Sequence, residues 1–158
     1  MLAFVGLGSN LGEPRRQVEQ AFGELAAIPR TRLVGTSGLY RSAPAGYADQ
    51  PDFVNAVAAL DTELEPGALL QELQAIEARH GRKRSLANAP RTLDLDLLMY
   101  GDREERAPAL TLPHPRMHER AFVLKPLLEL DPGLAIPGLG AARGLLDACA
   151  GQRTERIT

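Results

Sequence analysis

The stretch Leu93-Asp94-Leu95-Asp96-Leu97 sets two carboxylates on one side of an extended strand and three leucines on the other, because side chains alternate along a strand. Thr92 falls on the acidic side. Two carboxylates one pleat apart repel each other and lose hydration when half buried. A divalent cation removes that penalty, and magnesium suits a site with few protein carboxylates because it keeps waters or substrate phosphates as its other ligands. Manganese fits nearly as well. A loop just upstream carries Arg79, His80, Arg82, Lys83, Arg84 and Arg91. Guanidinium forks match phosphate oxygens, so hard-cation ligands beside such a loop point to a bound polyphosphate. The bland alternatives are a solvated acidic edge strand and a cationic helix end.

A third cluster is His114-Pro115-Arg116-Met117-His118-Glu119-Arg120. His114 and His118 stand four apart and could share a helix face, but Pro115 opposes a continuous helix and no H-E-x-x-H is present. Phosphate binding by His114 with charge from Arg116 or Arg120 is the more economical reading; a polar surface turn is the alternative. Aromatics are scarce, with four Phe, three Tyr and no Trp. Phe53 and Phe122 default to core, yet Asn55 shares a strand face with Phe53. Flat rings plus one amide would make a slot for a planar heterocycle.

The elements that must position these groups follow from periodicity. Leu2 to Leu7 reads as a buried strand ended by Gly8-Ser9-Asn10. Pro14 opens a helix with the stripe Val18, Phe22, Leu25, Ala26, running to Ile28-Pro29. Arg32 to Arg41 reads as a second strand, Ser42 to Pro51 as a loop, and Asp52 to Leu60 as a third strand. Phe53, Asn55 and Val57 face one way on it, Val54, Ala56 and Ala58 the other. Pro66 opens a second helix on Leu69, Leu73 and Ile76, stopped by Gly81. Arg82 to Pro90 is a second loop, and Thr92 to Tyr100 the fourth strand. This order, β-α-β-β-α-β, gives an α+β fold with a four-stranded antiparallel sheet and two helices on one face. A C-terminal extension follows: a short strand at 110–112 and helices over 122–130 and 141–150.

At 158 residues the chain is expected to be one domain spanning 1–158. Its 44% hydrophobic and 24% charged content is that of a globular protein, and a net charge of −2 gives no global attraction to nucleic acid or an anionic membrane. The single cysteine excludes an internal disulfide and fits a reducing cytoplasm. The apolar N-terminus has no basic leader and reads as a strand rather than a signal peptide. Gly6-x-Gly8-x-x-x-Gly12 imitates a dinucleotide fingerprint, with Arg41 as a 2′-phosphate ligand. The spacing is wrong, and strand two runs into strand three without the crossover helix. Gly8 is better explained by a close approach of backbone and ligand.

Taken in order, Gly6-Leu7-Gly8-Ser9-Asn10-Leu11-Gly12, Tyr40-Arg41-Ser42, Asp49-Gln50-Pro51-Asp52-Phe53-Val54-Asn55-Ala56-Val57, Pro90-Arg91-Thr92-Leu93-Asp94-Leu95-Asp96 and the segment from His114 to Phe122 resemble the 6-hydroxymethyl-7,8-dihydropterin pyrophosphokinase family of folate biosynthesis. The likeness runs to about Pro132. It implies a ferredoxin-like fold and a transferase that moves diphosphate from ATP, its co-substrate, to the pterin hydroxymethyl group and releases AMP. It further implies that Asp94 and Asp96 hold two magnesium ions. Phe53 and Phe122 are implied to sandwich the pterin, with Asn55 on its edge and backbone near Gly8, Ser42 and Ala45 assisting. Gln74 and Glu77, placed on a helix face off the core seam, are implied to contact the nucleotide, with Thr111 nearby. Arg82 and Arg91 are implied catalytic residues, and Arg84, His114, Arg116 and Arg120 implied phosphate or loop ligands. Asn88-Ala89 stand where the family often has a tryptophan-glycine pair. The expected partners are small molecules alone, with no nucleic acid or membrane; the expected state is a monomer in the cytoplasm. Two rivals make different predictions. An RNA-binding domain on the same fold needs exposed stacking aromatics, with Phe4 its candidate. A nucleotidyltransferase would release pyrophosphate rather than AMP.

Overall fold

A computed structural model describes residues 1–43, 50–81 and 93–158. The first strand, β1 (Leu2–Ser9), runs two residues beyond Leu7 and is followed by helix α1 (Pro14–Ala26), with Pro14 at its first turn as the sequence predicts. Val18, Ala21 and Leu25 are its buried positions, whereas Ala26 faces solvent. Ala21, three residues after Val18, takes the inward place instead. The expected second strand is divided into β2 (Thr31–Thr36) and β3 (Tyr40–Ser42), both antiparallel to β4 (Phe53–Thr62). Ser37 causes the break. Its hydroxyl accepts the Val57 N–H at 2.9 Å while its own N–H donates to the Val57 carbonyl, so local side-chain bonding displaces the ladder.

Helix α2 (Pro66–Arg79) buries Leu69, Leu73 and Ile76, and Gly81 at φ +77° follows its cap, as expected of a C-terminal stop. Strand β5 (Asp94–Tyr100) comes next; Thr92, assigned to its acidic face, lies outside the described residues. Strands β6 (Glu105–Ala107) and β7 (Leu110–Leu112) form a hairpin. The His114–Arg120 segment is a turn and a short 3-10 helix (Met117–Glu119), so His114 and His118 do not share an α-helix. Helix α3 (Ala121–Leu130) follows. After a two-residue hairpin, β8 (Ala135–Ile136) with β9 (Gly140–Ala141), helix α4 spans only Ala142–Asp147. Gly144 weakens α4, and residues 148–150 close as turns. The last strand, β10 (Thr154–Arg156), had no counterpart in the sequence reading.

The main sheet has six strands rather than the four expected from the element order, running β10-β3-β4-β1-β5 with β2 also paired to β4, because the second strand is divided and β10 joins from the C-terminal segment. Both neighbours of β1 are antiparallel, which disposes of the dinucleotide-binding alternative, since that fold needs parallel strands. Helices α1 and α2 cover one face, where Leu7, Leu25, Leu60, Leu73, Leu93, Leu95 and Leu97 form one core. The extension covers part of the other face, where Phe4, Val57 and Leu98 pack with Met117, Leu124, Leu127 and Ile136. Strand β4 is buried almost throughout because both its faces are covered. Phe4 is only 5% exposed, so the stacking platform of the RNA-binding alternative is not offered there. Glu129 ties the end of α3 to the sheet. It accepts the Tyr40 hydroxyl at 2.8 Å and the Gly38 N–H, and lies 3.7 Å from Arg156. Burial and the Glu129 charge push the Tyr40 phenol up to about 12. No helix among the described residues is long and apolar enough to cross a membrane.

Candidate active site

Helix α3 covers only part of its sheet face. Beyond its N-terminus the same face is open, and a cleft of about 610 Å³ lies there. Its lining includes Gly6 and Gly8 of β1, Phe53 and Asn55 of β4, Asp94 and Asp96 of β5, Ser42, Arg116, Arg120 and Phe122. Register explains the grouping. Gly8 pairs with Asn55 on one side and Asp94 on the other, and Gly6 with Val57 and Asp96. The four strand positions 53, 55, 94 and 96 therefore point the same way, as alternation predicts. Glycine on β1 keeps the space between them open. A Cβ on Gly8 would meet Asn55 Oδ1 at 3.3 Å and Phe53 Cδ1 at 3.8 Å.

Several hydrogen bonds fix these groups. Asn55 is 3% exposed, and its Nδ2 donates to Ser42 Oγ at 2.6 Å, leaving its carbonyl oxygen toward Gly8. Asn10, at the end of β1, donates from Nδ2 to Gln50 Oε1 and to the Pro51 carbonyl, anchoring the chain just before Phe53. On β5, the Leu95 N–H donates to Glu77 Oε2 at 2.8 Å, and the Leu98 carbonyl accepts the His114 N–H at 2.8 Å. Glu77 is thus buried and bonded to the strand that carries the aspartates, which corrects its placement off the core seam. Gln74 is exposed on α2, and Thr111 is half-buried on β7 opposite Arg106; neither lines the cleft.

The acidic pair lies in a cationic setting. Arg120 Nη1 is 3.8 Å from Asp96 Oδ2, and its guanidinium stands 5.5 Å from the centre of the Phe122 ring. His114 Nε2 is 3.9 Å from Asp96 Oδ1. Burial first, then the Arg120 charge, pushes His114 down to about 4, against the pull of Asp94 and with a further push from Arg116. The ring is therefore neutral at pH 7. Its Nδ1 accepts the Arg116 N–H at 3.2 Å, so its own proton sits on Nε2, the nitrogen nearer Asp96. Among the described residues no cluster of three or more His, Cys, Asp or Glu could hold a metal ion. Two carboxylates in an open cleft fit a hard cation that completes its shell with water and phosphate oxygens, as magnesium does.

Of the residues singled out from the sequence, Gly8, Ser42, Phe53, Asn55, Asp94, Asp96, Arg116, Arg120 and Phe122 come together in this cleft, with His114 beside it. Ala45, Arg82, Arg84 and Arg91 lie outside the described residues, as do Asn88 and Ala89. The sequence reading missed a wall built from Gly151, Gln152, Arg153 and Thr154. They arrive because Thr154 of β10 pairs with Ser42 of β3, a contact between distant segments that leaves no local pattern. Replacing Gly8 by alanine is expected to weaken binding of a planar ligand several-fold without a large change in melting temperature. The added methyl presses on the Asn55 amide rather than on the core; titration calorimetry with thermal melts checks this.

Known proteins resemble this chain over most of its length. Residues 4–132 match the family described as 7,8-dihydro-6-hydroxymethylpterin-pyrophosphokinase (HPPK). The 2-amino-4-hydroxy-6-hydroxymethyldihydropteridine pyrophosphokinase of Pseudomonas aeruginosa is 51% identical over 154 residues, covering 98% of this chain and 95% of its own. The enzyme of the same name from Haemophilus influenzae is 47% identical over 135 residues, 85% of this chain and 84% of its own. Among solved structures, an HPPK-DHPS in complex with substrates superposes with a TM-score of 0.72 at 12% identity, over 93% of this chain and 43% of that one. This chain thus spans less than half of that fused protein, and the likeness is one of fold.

Proposed function

The chain belongs to the 7,8-dihydro-6-hydroxymethylpterin-pyrophosphokinase family, and on that premise we propose how its cleft divides the work of the reaction. The chain is a pyrophosphokinase of folate biosynthesis: it transfers diphosphate from ATP to 6-hydroxymethyl-7,8-dihydropterin, giving the pterin diphosphate and AMP. Phe53 and Phe122 hold the pterin ring between them. Asn55 and the backbone at Gly8 and Ser42 read its edge. The aromatic end of the cleft thereby delivers the hydroxymethyl group toward Asp94 and Asp96. The observation that carries this reading is the meeting of Phe53, Asn55 and Phe122 with both aspartates in one cleft of about 610 Å³.

The pterin hydroxyl attacks the β-phosphorus of ATP in line. A new O–P bond forms, the bond between the β-phosphorus and the oxygen bridging it to the α-phosphorus breaks, AMP leaves with that oxygen, and the hydroxyl proton passes to solvent. Asp94 and Asp96 would hold magnesium, two ions in our reading, which when bound neutralises phosphate charge and orients the polyphosphate. Arg120 and Arg116 supply fixed positive charge at the phosphate end. Neutral His114 donates from Nε2 to a phosphate oxygen rather than adding charge. Arg82, Arg84 and Arg91, outside the described residues, are further phosphate ligands in this reading, and Gln74, Glu77 and Thr111 serve the nucleotide, Glu77 through the β5 backbone. The working unit is one domain over 1–158, a cytoplasmic monomer whose partners are its small-molecule substrates.

Phosphorus NMR of a reaction containing ATP, magnesium and 6-hydroxymethyl-7,8-dihydropterin tests the reading. AMP and a pterin diphosphate are expected to grow in together. Release of free pyrophosphate would favour the nucleotidyltransferase alternative, and salt-sensitive RNA binding without ATP turnover the RNA-binding one.

A further inference from the structure

We propose that Gln152, beyond the segment that matches the family, is a positioning residue that brackets the backbone beneath Arg120 and Phe122 and so sets the aromatic wall of the cleft. The proposal rests on the reading that this cleft binds the pterin. Helix α3 begins with no side chain of its own capping it; Arg120, at the cap position, is extended (φ −122°, ψ 107°). The first N–H groups of a helix need outside acceptors. Gln152 Oε1 supplies one, accepting the Ala121 N–H at 2.9 Å. The other end of the same amide, Nε2, donates to the Glu119 carbonyl at 2.6 Å. One side chain therefore grips both sides of Arg120, the extended link between the 3-10 helix and α3.

Arg120 is the residue whose guanidinium stands over the Phe122 ring and reaches toward Asp96. Phe122 itself is the second residue of α3. Gln152 is held in turn. Its N–H donates to the Cys149 carbonyl at 2.9 Å, and two residues later Thr154 pairs with Ser42, whose hydroxyl accepts from Asn55. The C-terminal segment thus links the two walls of the cleft, Asn55 on the sheet side and Phe122 on the helix side. The Lys125 ammonium donates to the Thr154 carbonyl and keeps this segment on α3 independently of Gln152, so loss of the amide leaves β10 in place.

The test compares the parent chain with Gln152→Ala and Gln152→Glu, using calorimetric Kd values for 6-hydroxymethyl-7,8-dihydropterin and for a non-hydrolysable ATP analogue with magnesium, with steady-state kcat and KM and thermal melts. Gln152→Ala is expected to raise the pterin Kd and KM roughly three- to tenfold, the worth of one net hydrogen bond. The nucleotide Kd should rise less, by about twofold at most, because Arg120 is one of several charged groups at the phosphate end and the bracket does not hold Arg116, Asp94 or Asp96. Gln152→Glu keeps an acceptor for the Ala121 N–H and should recover part of the loss. Pterin affinity equal to the parent's, or equal weakening of pterin and nucleotide, overturns the bracket. Should Gln152→Ala fail to fold, the pterin-to-nucleotide ratio in Gln152→Glu decides by the same criterion. If the parent itself binds no pterin, the reading of the cleft falls and the bracket with it; if the parent binds and the variant matches it, the bracket alone falls.

Discussion

Asp96→Ala reduces AMP formation by a factor of about a hundred to a thousand or more, the scale set by losing one preorganised charge-stabilising group, while the protein stays folded. The carboxylate is partly exposed, and it lies 3.8 Å from the Arg120 guanidinium and 3.9 Å from the neutral His114 ring. A partly hydrated ion pair as long as that with Arg120 contributes about 0–1 kcal/mol. The leucines that hold β5 to its core lie on the opposite face and are untouched by the change. Catalysis has no such reserve. The substitution removes one of the two β5 carboxylates from the cleft, and with it the charge that Arg120 and His114 approach at 3.8 and 3.9 Å. Magnesium affinity and phosphate orientation fail together. AMP production followed by phosphorus NMR, beside circular dichroism melts of both proteins, measures the two quantities. Near-parental turnover in folded, magnesium-saturated Asp96→Ala sinks the assignment.

Phe122→Ala separates the two substrates. Removing one flat wall of an aromatic slot should weaken pterin binding roughly ten- to a hundredfold, as expected from about 1.5–3 kcal/mol of ring burial and stacking. The nucleotide should bind within about threefold of the parent, because Phe122 stands at the helix side of the cleft and not at the aspartates. A modest fall in melting temperature accompanies the change, since the half-buried ring also packs against the second core. That fall does not mimic the binding effect: a general loosening would weaken both ligands alike. Calorimetric titration with each substrate separately is the measurement, and equal losses for pterin and nucleotide count against the sandwich.

Much of the site could be read from the sequence because its geometry is local. In β5 the period of two alone puts Asp94 and Asp96 opposite three buried leucines, and the structure has them so. In β4 the same period joins Phe53 to Asn55. Pro14, Pro66 and Gly81 mark helix ends through fixed φ or tolerance of positive φ, properties that need no tertiary context. What the sequence hid is what distance creates. Ser37 looks like one polar residue inside a strand-like run until Val57 arrives to satisfy it and divides β2 from β3. Glu77 reads from its type as lying off the core seam, yet it stands four residues after Leu73 on the buried side of α2, where its carboxylate accepts the Leu95 N–H. Gln152 and Thr154 belong to a tail with no periodicity, and they matter only because β10 returns to β3 across more than a hundred residues. Local rules name the chemistry-bearing strands; the closing wall depends on long-range pairing that no short window contains.

Helix α3 leaves part of the sheet face it rests on uncovered, so that face is a foundation at one end and a substrate floor at the other. The starting point of a single helix thus sets the size of the chamber. One further turn toward the N-terminus would add about 5.4 Å of helix, built from the segment that now brings Glu119 and Arg120 to the cleft, and narrow the chamber without altering the strand residues of its floor. A bulkier substrate would be admitted by the opposite edit, a later start to the same helix. Capacity here is a matter of how far the roof extends, and it can change while the floor and its carboxylates stay as they are.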